Sequence, residues 1–293
     1  MDRTKNSPPN NRPRRGPQGG PKGGGKSHNP KVRQGGRGGR GPRARLEVVQ
    51  KRQDRHWLYG IHAVKAALAN GRRVVHRLVA SAEVLPEIEK ELALRADLKR
   101  DIVAAEGFKG LLPIDAVHQN VALEVSALPH TPLEPFLAST QPTSTLVLLD
   151  QVTDPRNFGA ILRSAVAFDV AAVVVPERHS AELGGVAAKA ASGALDMVPV
   201  AQVVNLSRAF EQLKAAGFWI IGLDGDAQQP LRSYERPAKT ALVLGSEGRG
   251  LRRLVAERCD LLVSLPTNPR IESLNVAVAA GVALYELTQK RPG

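Results

Sequence analysis

Two rhythms of apolar and polar positions run along this 293-residue chain. In the first, Ile61 to Leu68 carries apolar residues at helical spacing and stops at Asn70-Gly71, a helix terminator. Val74 to Ala80 predicts a strand, and Pro86 to Ala96 a helix with Ile88, Leu92 and Leu94 on or near one face. Asp101 to Ala104 predicts a second strand and residues 110–117 a short helix. Asn120 to Val125 alternates apolar and polar, as a strand with one solvated face does. These elements make a compact α/β module over residues 56–128. Pro129, Pro132, Pro135 and Pro142, set among Thr and Ser, predict a linker over 129–144.

The second rhythm fills residues 145–293. Strands are predicted at Thr145–Leu149, Ala171–Val175, Val198–Val200, Phe218–Leu223, Thr240–Leu244 and Leu261–Leu265. Helices are predicted at Phe158–Phe168, Gly185–Ala191, Leu206–Ala216, Leu251–Ala256 and Ser273–Lys290. Strands alternating with helices predict a parallel sheet covered on both faces. Three of the connections are polar and rich in turn residues: Asp154-Pro155-Arg156-Asn157-Phe158-Gly159 with Arg163 beyond it, Gly245-Ser246-Glu247-Gly248-Arg249-Gly250, and Leu265-Pro266 followed by Ser273-Leu274-Asn275. Turns that follow parallel strands are where α/β proteins place their chemistry, so the three are expected to form one composite site.

Charge changes the picture at one end only. Residues 1–55 hold sixteen Lys or Arg against three Asp or Glu, which accounts for the whole net charge of +13. With eleven Gly, seven Pro and no Phe, Trp or Tyr, this segment cannot bury enough apolar surface to offset its ordering entropy, and it is expected to be a disordered basic tail. Arg37 and Arg40 lie in an RGG-like run, Gly35 to Gly41, suited to following an RNA backbone in a salt-sensitive way; the bland alternative is a solubilising tail. No apolar run is long enough to span a membrane, and the N-terminus shows no secretory h-region. The single Cys259 excludes an intrachain disulfide framework and a multi-Cys zinc site; it reads as a part-buried structural thiol and fits the cytoplasm.

The chemistry of the three turns narrows the ligand. After the strand ending at Asp150 there is no G-x-G-x-x-G, which weighs against NAD and the common Rossmann methyltransferases, and no Walker A pattern occurs. Gly245-Ser246-Glu247-Gly248 looks like an anion-cradling turn, yet Glu247 at its centre would repel phosphate, so a neutral or cationic ligand suits it better. Asn157 stands where a helix N-cap would, Ser273 could cap the last helix, and Arg163 could be an ordinary surface arginine.

Together these segments resemble the motifs of the SPOUT superfamily in its TrmH-type RNA ribose 2′-O-methyltransferase branch. Asn157 to Arg163 matches the first motif, Leu242 to Gly250 the second, and Leu265-Pro266 with Ser273 to Gly281 the third. Tyr59 to Val64 and His118 to Ala122 resemble the L30e/L7Ae-like substrate-binding domain of the rRNA enzymes in this branch. The resemblance implies a parallel-sheet α/β domain with a C-terminal trefoil knot, a homodimer, S-adenosylmethionine as methyl donor without a metal, and RNA as substrate, a guanosine in the P-site loop of 23S rRNA. Gly245, Leu244, Leu265, Pro266 and Leu274 fall on cofactor-binding positions. Arg163, Glu247, Ser273, Asn275 and Asn157 fall on catalytic ones. A guanidinium with a pKa above ~12 is a poor base, so Arg163 is expected to act electrostatically on the developing alkoxide, with Glu247 as an alternative proton acceptor. His62 and Asn120 are expected to contact RNA, and His62 and His118 lie outside the catalytic half. Thr267 and Pro269 depart from the family's Ile-Pro-Met-x-Gly loop. A tRNA methyltransferase of the same branch and a non-catalytic RNA-binding or ribosome-assembly protein are the alternatives.

Overall fold

The computed structural model describes residues 55–181, 185–268, 270–271 and 273–289. Arg37, Arg40 and the rest of residues 1–54 lie outside the described residues, as does Pro269; Arg55, expected in the tail, opens the first strand. The first module consists of β1 (Arg55–Tyr59), α1 (Ile61–Ala69), β2 (Val75–Ala80), α2 (Leu85–Leu92), β3 (Lys99–Ile102) and β4 (Val121–Ser126). Its sheet order is β1-β4-β2-β3, with β4 antiparallel to both neighbours and β3 parallel to β2. Gly60 turns β1 directly into α1 at φ 89°, a conformation that favours glycine. Leu58, Leu78 and Leu123 on one face of this sheet pack with Val64, Leu68 and Ile88 from the two helices.

Three expectations for this region change. The strand β1 was not among the expected elements. The short helix expected at 110–117 is a 3₁₀ turn at Ala105–Phe108; residues 110–117 form turns, because Gly110 sits at φ 78° and Pro113 lacks an amide donor. Leu94 does not share the face of Ile88 and Leu92: α2 tightens into a 3₁₀ turn at Ala93–Arg95 and leaves Leu94 exposed.

Residues 129–144 contain a helix, α3 (Leu133–Ala138), whose Leu133 and Leu137 are buried in the core of the second sheet. The proline at 132 precedes that helix rather than interrupting it. Beyond it come β5 (Ser144–Leu149), α4 (Pro155–Ala167), β6 (Ala172–Pro176), α5 (Gly185–Ala191), β7 (Val200–Val203), α6 (Leu206–Ala215), β8 (Trp219–Leu223), β9 (Lys239–Leu244), α7 (Arg253–Ala256), β10 (Leu261–Val263) and α8 (Val276–Gln289). All six strands are parallel, in the order β10-β8-β9-β5-β6-β7.

The period-2 geometry of strands splits this sheet's side chains between two cores. Val147, Leu149, Val173, Val175, Leu242 and Leu244 face α4, α5 and α8, meeting Phe158, Ile161, Leu162, Ala280 and Leu284. Leu146, Leu148, Ala172, Val174, Ala241 and Val243 face α3, α6 and α7, meeting Phe210, Leu213 and Val255. Two close approaches fix the first layer. A Cβ on Gly159 would lie 2.5 Å from Ala190 Cβ and 2.7 Å from Ala187 O, so α4 and α5 cross with no side chain between them. Along α4 and α8, Asn157 bonds Asn275, the Gly281 position abuts Ser164 Oγ, and Phe168 meets Tyr285 edge-on. Contacts advancing together along both helices mean that they run parallel.

Candidate active site

The strand order places the site. From β5 the chain proceeds outward through β6 and β7, then crosses to β8 on the other side and returns with β9 to lie beside β5. The connections leaving β5 and β9 therefore part in opposite directions, which makes the carboxyl ends of these two strands the topological switch point, where open α/β sheets bind their ligands. The first and second motifs are those two connections.

The first connection ends in a helix start. Asp154, not Asn157, is the N-cap of α4: its Oδ1 accepts from Arg156 N at 2.8 Å, with Pro155 at the first helical position. Asn157 is thereby freed from capping. Its Nδ2 donates to Glu247 Oε1 at 2.7 Å, and its Oδ1 accepts from Asn275 Nδ2 at 3.0 Å. Asn275 Nδ2 also donates to Glu247 Oε1, at 2.6 Å. A carboxylate can only accept, so both amides must turn their nitrogens toward Glu247, and the network fixes their orientation. Asn157 and Asn275, 118 positions apart, thus meet on one carboxylate oxygen of Glu247.

Glu247 sits in a tight turn. Ser246 and Gly250 exchange two backbone hydrogen bonds, both 3.0 Å, with Gly248 and Gly250 at positive φ. Gly245 forms the base of the turn, where an added Cβ would lie 2.1 Å from Gly250 C; only glycine allows the backbone to pass this closely. The far end is anchored by the fully buried Asp150, which accepts from Arg252 N at 3.0 Å and from its Nε at 2.8 Å. This anchor was not among the expected site residues; an acid closing a wholly apolar strand was its only signal.

The third segment is capped by Asn275 rather than Ser273. Asn275 Oδ1 accepts from Ala277 N at 2.9 Å and Val278 N at 3.2 Å, so α8 begins at Val276. Ser273 is exposed and outside the amide–carboxylate cluster. Leu244 and Gly245 are buried, Leu265 and Leu274 half-buried, and Pro266 exposed. Arg163 is exposed on α4, one residue before the Ser164–Gly281 contact, and makes no hydrogen bond or ion pair among the described residues. Among the described residues it stands as a free cation beside the α4–α8 seam.

The module's expected RNA contacts lie elsewhere. His62 is exposed on α1, and its carbonyl abuts Gly193 of the larger domain. Gln119 and Asn120 both adopt left-handed backbone, and Asn120 N donates to His118 Nδ1 at 3.1 Å. The His118 ring stacks on Phe108 at 4.4 Å, which is a packing role. Cys259 is half-buried, with burial and the neighbouring Asp260 pushing its thiol up to about 12. No helix among the described residues is long and apolar enough to cross a membrane.

A parallel α/β sheet with an amide–carboxylate cluster at its switch point, preceded by a small mixed-sheet module, defines a SPOUT-type RNA ribose 2′-O-methyltransferase. Residues 144–285 match the SpoU rRNA methylase family, and residues 57–131 match the RNA 2′-O ribose methyltransferase substrate-binding family. The chain belongs to the SpoU rRNA methylase family. It is 38% identical over 238 residues to the 23S rRNA (guanosine-2′-O-)-methyltransferase RlmB of Pseudomonas putida, covering 80% of this chain and 96% of that one. The RlmB of Xanthomonas campestris is 38% identical over 246 residues, covering 81% and 97%. Among solved structures, a TrmH-family protein from Porphyromonas gingivalis superposes with a TM-score of 0.67 at 26% identity, covering 85% of this chain and 94% of that one. The SpoU methyltransferase AviRb of Streptomyces viridochromogenes shares the fold, with a TM-score of 0.70 at 24% identity over 83% and 91% of the two chains.

S-adenosylmethionine is the methyl donor of this family, and the residues present fit it. Half-buried Leu265 and Leu274 offer apolar contact, Gly245 brings backbone within reach, and the turn carries a carboxylate at its tip. That set suits an uncharged base and a positively charged sulfur, and would repel a polyphosphate.

Proposed function

We propose that this enzyme methylates the 2′-hydroxyl of a guanosine in 23S rRNA, working as a homodimer in the cytoplasm. The observation that carries the catalytic reading is the convergence of Asn157, Glu247 and Asn275, one from each motif, on a single carboxylate oxygen. The relatives named RlmB, similar over nearly their whole length, support 23S rRNA and guanosine.

When bound, S-adenosylmethionine supplies a methyl group already activated on a sulfonium. The chain's own work is to align the ribose, raise the nucleophilicity of its oxygen and accept a proton. Leu244, Gly245, Leu265, Pro266 and Leu274 would hold the donor. Arg163, exposed and without a partner among the described residues, stabilises the negative charge that develops on the 2′-oxygen. The two amides occupy Oε1 of Glu247, so the proton goes to Oε2. Ser273 and the free edge of the asparagines orient the ribose.

A homodimer is supported by Val166 on α4 and Val278, Val282 and Tyr285 on α8, all exposed on the paired helices that carry Arg163. The trefoil knot belongs to the same reading: from β10 at one sheet edge the chain returns to pack α8 on α4 beside the central strand β5. Mapping 2′-O-methyl groups across rRNA and tRNA in a strain lacking the enzyme tests the whole reading. One guanosine methyl should vanish from 23S rRNA. Loss confined to tRNA would move the enzyme to another substrate, and no loss with no calorimetric binding of S-adenosylmethionine would leave an RNA-binding protein.

A further inference from the structure

The module and the larger domain meet through a polar cluster that the catalytic chemistry does not use. Arg73, in the turn after α1, has a fully buried side chain. Its Nε and Nη2 donate to the two oxygens of Asp196, each at 2.8 Å, and its Nη1 donates to Ser126 O at the end of β4 at 3.0 Å. Asn70 Nδ2 donates to the same carboxylate at 3.0 Å. Asp196, 2% exposed, ends a 3₁₀ turn at Ala194–Asp196 that directly follows α5. Just before it, Gly193 at φ 93° brings its backbone so near His62 O that a Cβ would lie 2.8 Å away. Lys189 of α5 reaches Gln119 at 3.5 Å.

These contacts continue toward the site without a break. The segment that grips the module is α5 with its 3₁₀ extension, and α5 is the helix that crosses α4 at Gly159. Gly159 is two residues from Asn157. A buried, bidentate ion pair is a costly junction unless both charges stay paired, so it holds one relative orientation and no other.

We propose that Arg73 and Asp196 are positioning residues that make the two domains a fixed ruler: RNA held by the module presents one ribose, at a set distance, to the Asn157–Glu247–Asn275 cluster. This rests on the reading of the enzyme as an RNA ribose methyltransferase. The clamp thereby decides which nucleotide is methylated, a matter separate from how tightly the cofactor binds. With the clamp loosened, the module becomes a tethered binder that delivers neighbouring riboses as well.

The test uses the full chain, total rRNA from a strain lacking the enzyme, and S-adenosylmethionine labelled in its methyl group. Sites of 2′-O-methylation are mapped by sequencing. Wild type should mark one position. Asp196→Asn and Arg73→Lys should spread methylation to adjacent nucleotides and raise KM for RNA about tenfold, with cofactor affinity unchanged. Asn70→Ala, which removes one bond to the carboxylate and one from Arg72 N but leaves both charges paired, should do the same to a smaller degree and keeps the test open should the stronger variants not fold. Folded variants that mark the wild-type position alone, whatever their KM, would overturn the proposal and leave the pair purely structural. Failure of wild type to methylate rRNA at all would instead overturn the functional reading beneath it.

Discussion

Two polar clusters in this molecule are built alike and end differently. Each joins residues distant in sequence around one carboxylate. At Asp196 the carboxylate is buried, faces a guanidinium, and both its oxygens are bonded. At Glu247 it is exposed, faces two neutral amides, and only Oε1 is bonded to described residues. Arg163, the cation of the first motif, is likewise exposed and makes no hydrogen bond or ion pair among the described residues. Charge satisfied inside the fold makes architecture; charge left open toward solvent leaves room for a substrate.

The comparison can be broken most forcefully at Arg73. Arg73→Met leaves a carboxylate buried with its main partner gone, and unfolding free energy should fall by about 3–5 kcal/mol. Glu247→Gln, at an exposed position, should stay within about 0.5 kcal/mol of wild type. Urea denaturation of the two proteins measures both, and equal losses would erase the distinction drawn between the clusters.

A subtler change sharpens it. Asn275→Asp keeps an oxygen that can cap α8, so stability should hold within about 0.5 kcal/mol. The new carboxylate, however, lies against Glu247, and like charges at this range should slow single-turnover methyl transfer roughly tenfold, equivalent to about 1.4 kcal/mol. Stability lost together with activity would mean that capping, not the bond to Glu247, is what Asn275 supplies.

The smallest effect concerns the half-buried thiol of Cys259. Burial and Asp260 push the Cys259 thiol up to about 12 from an ordinary value of 9.0. Below pH 9 the thiol is protonated folded or unfolded, so its contribution to stability is constant. Between 9 and about 12 only the unfolded chain releases the proton, and that contribution is lost. Alkylation by iodoacetamide at pH 8 should therefore be slow in the native protein and fast in urea. Rapid modification of the native enzyme would contradict this.

Much of this was legible before any coordinates. The alternation of strands and helices in the larger domain placed five of the six strands, since a parallel sheet buried on both faces needs unbroken apolar runs; the edge strand expected at Val198–Val200 lies at Val200–Val203, where Gln202 breaks the run. Asn157, Glu247 and Asn275 were readable as three motifs. Their mutual bonding was not, because it depends on which strands become neighbours. The caps were misassigned for a local reason: Asp154 before Pro155 and Asn275 before Val276 compete with Asn157 and Ser273, and only backbone geometry decides between them. The helix at Leu133–Ala138 hid behind its prolines. Asp196 and Arg73 carried no signal at all, since each is an ordinary charged residue until the two domains meet.

Asn275 gives the site a place in the order of synthesis. It starts the last helix and holds Glu247 with the same side chain, so neither feature exists without the other. A nascent chain made as far as β10 already contains the module, its clamp and both earlier motifs, and domains fold from the N-terminus as they emerge. Such a chain has every surface expected to hold RNA and none of the completed chemistry. In the proposed mechanism the enzyme is armed only when the α8 segment folds back onto α4, and incomplete copies are expected to occupy RNA without marking it.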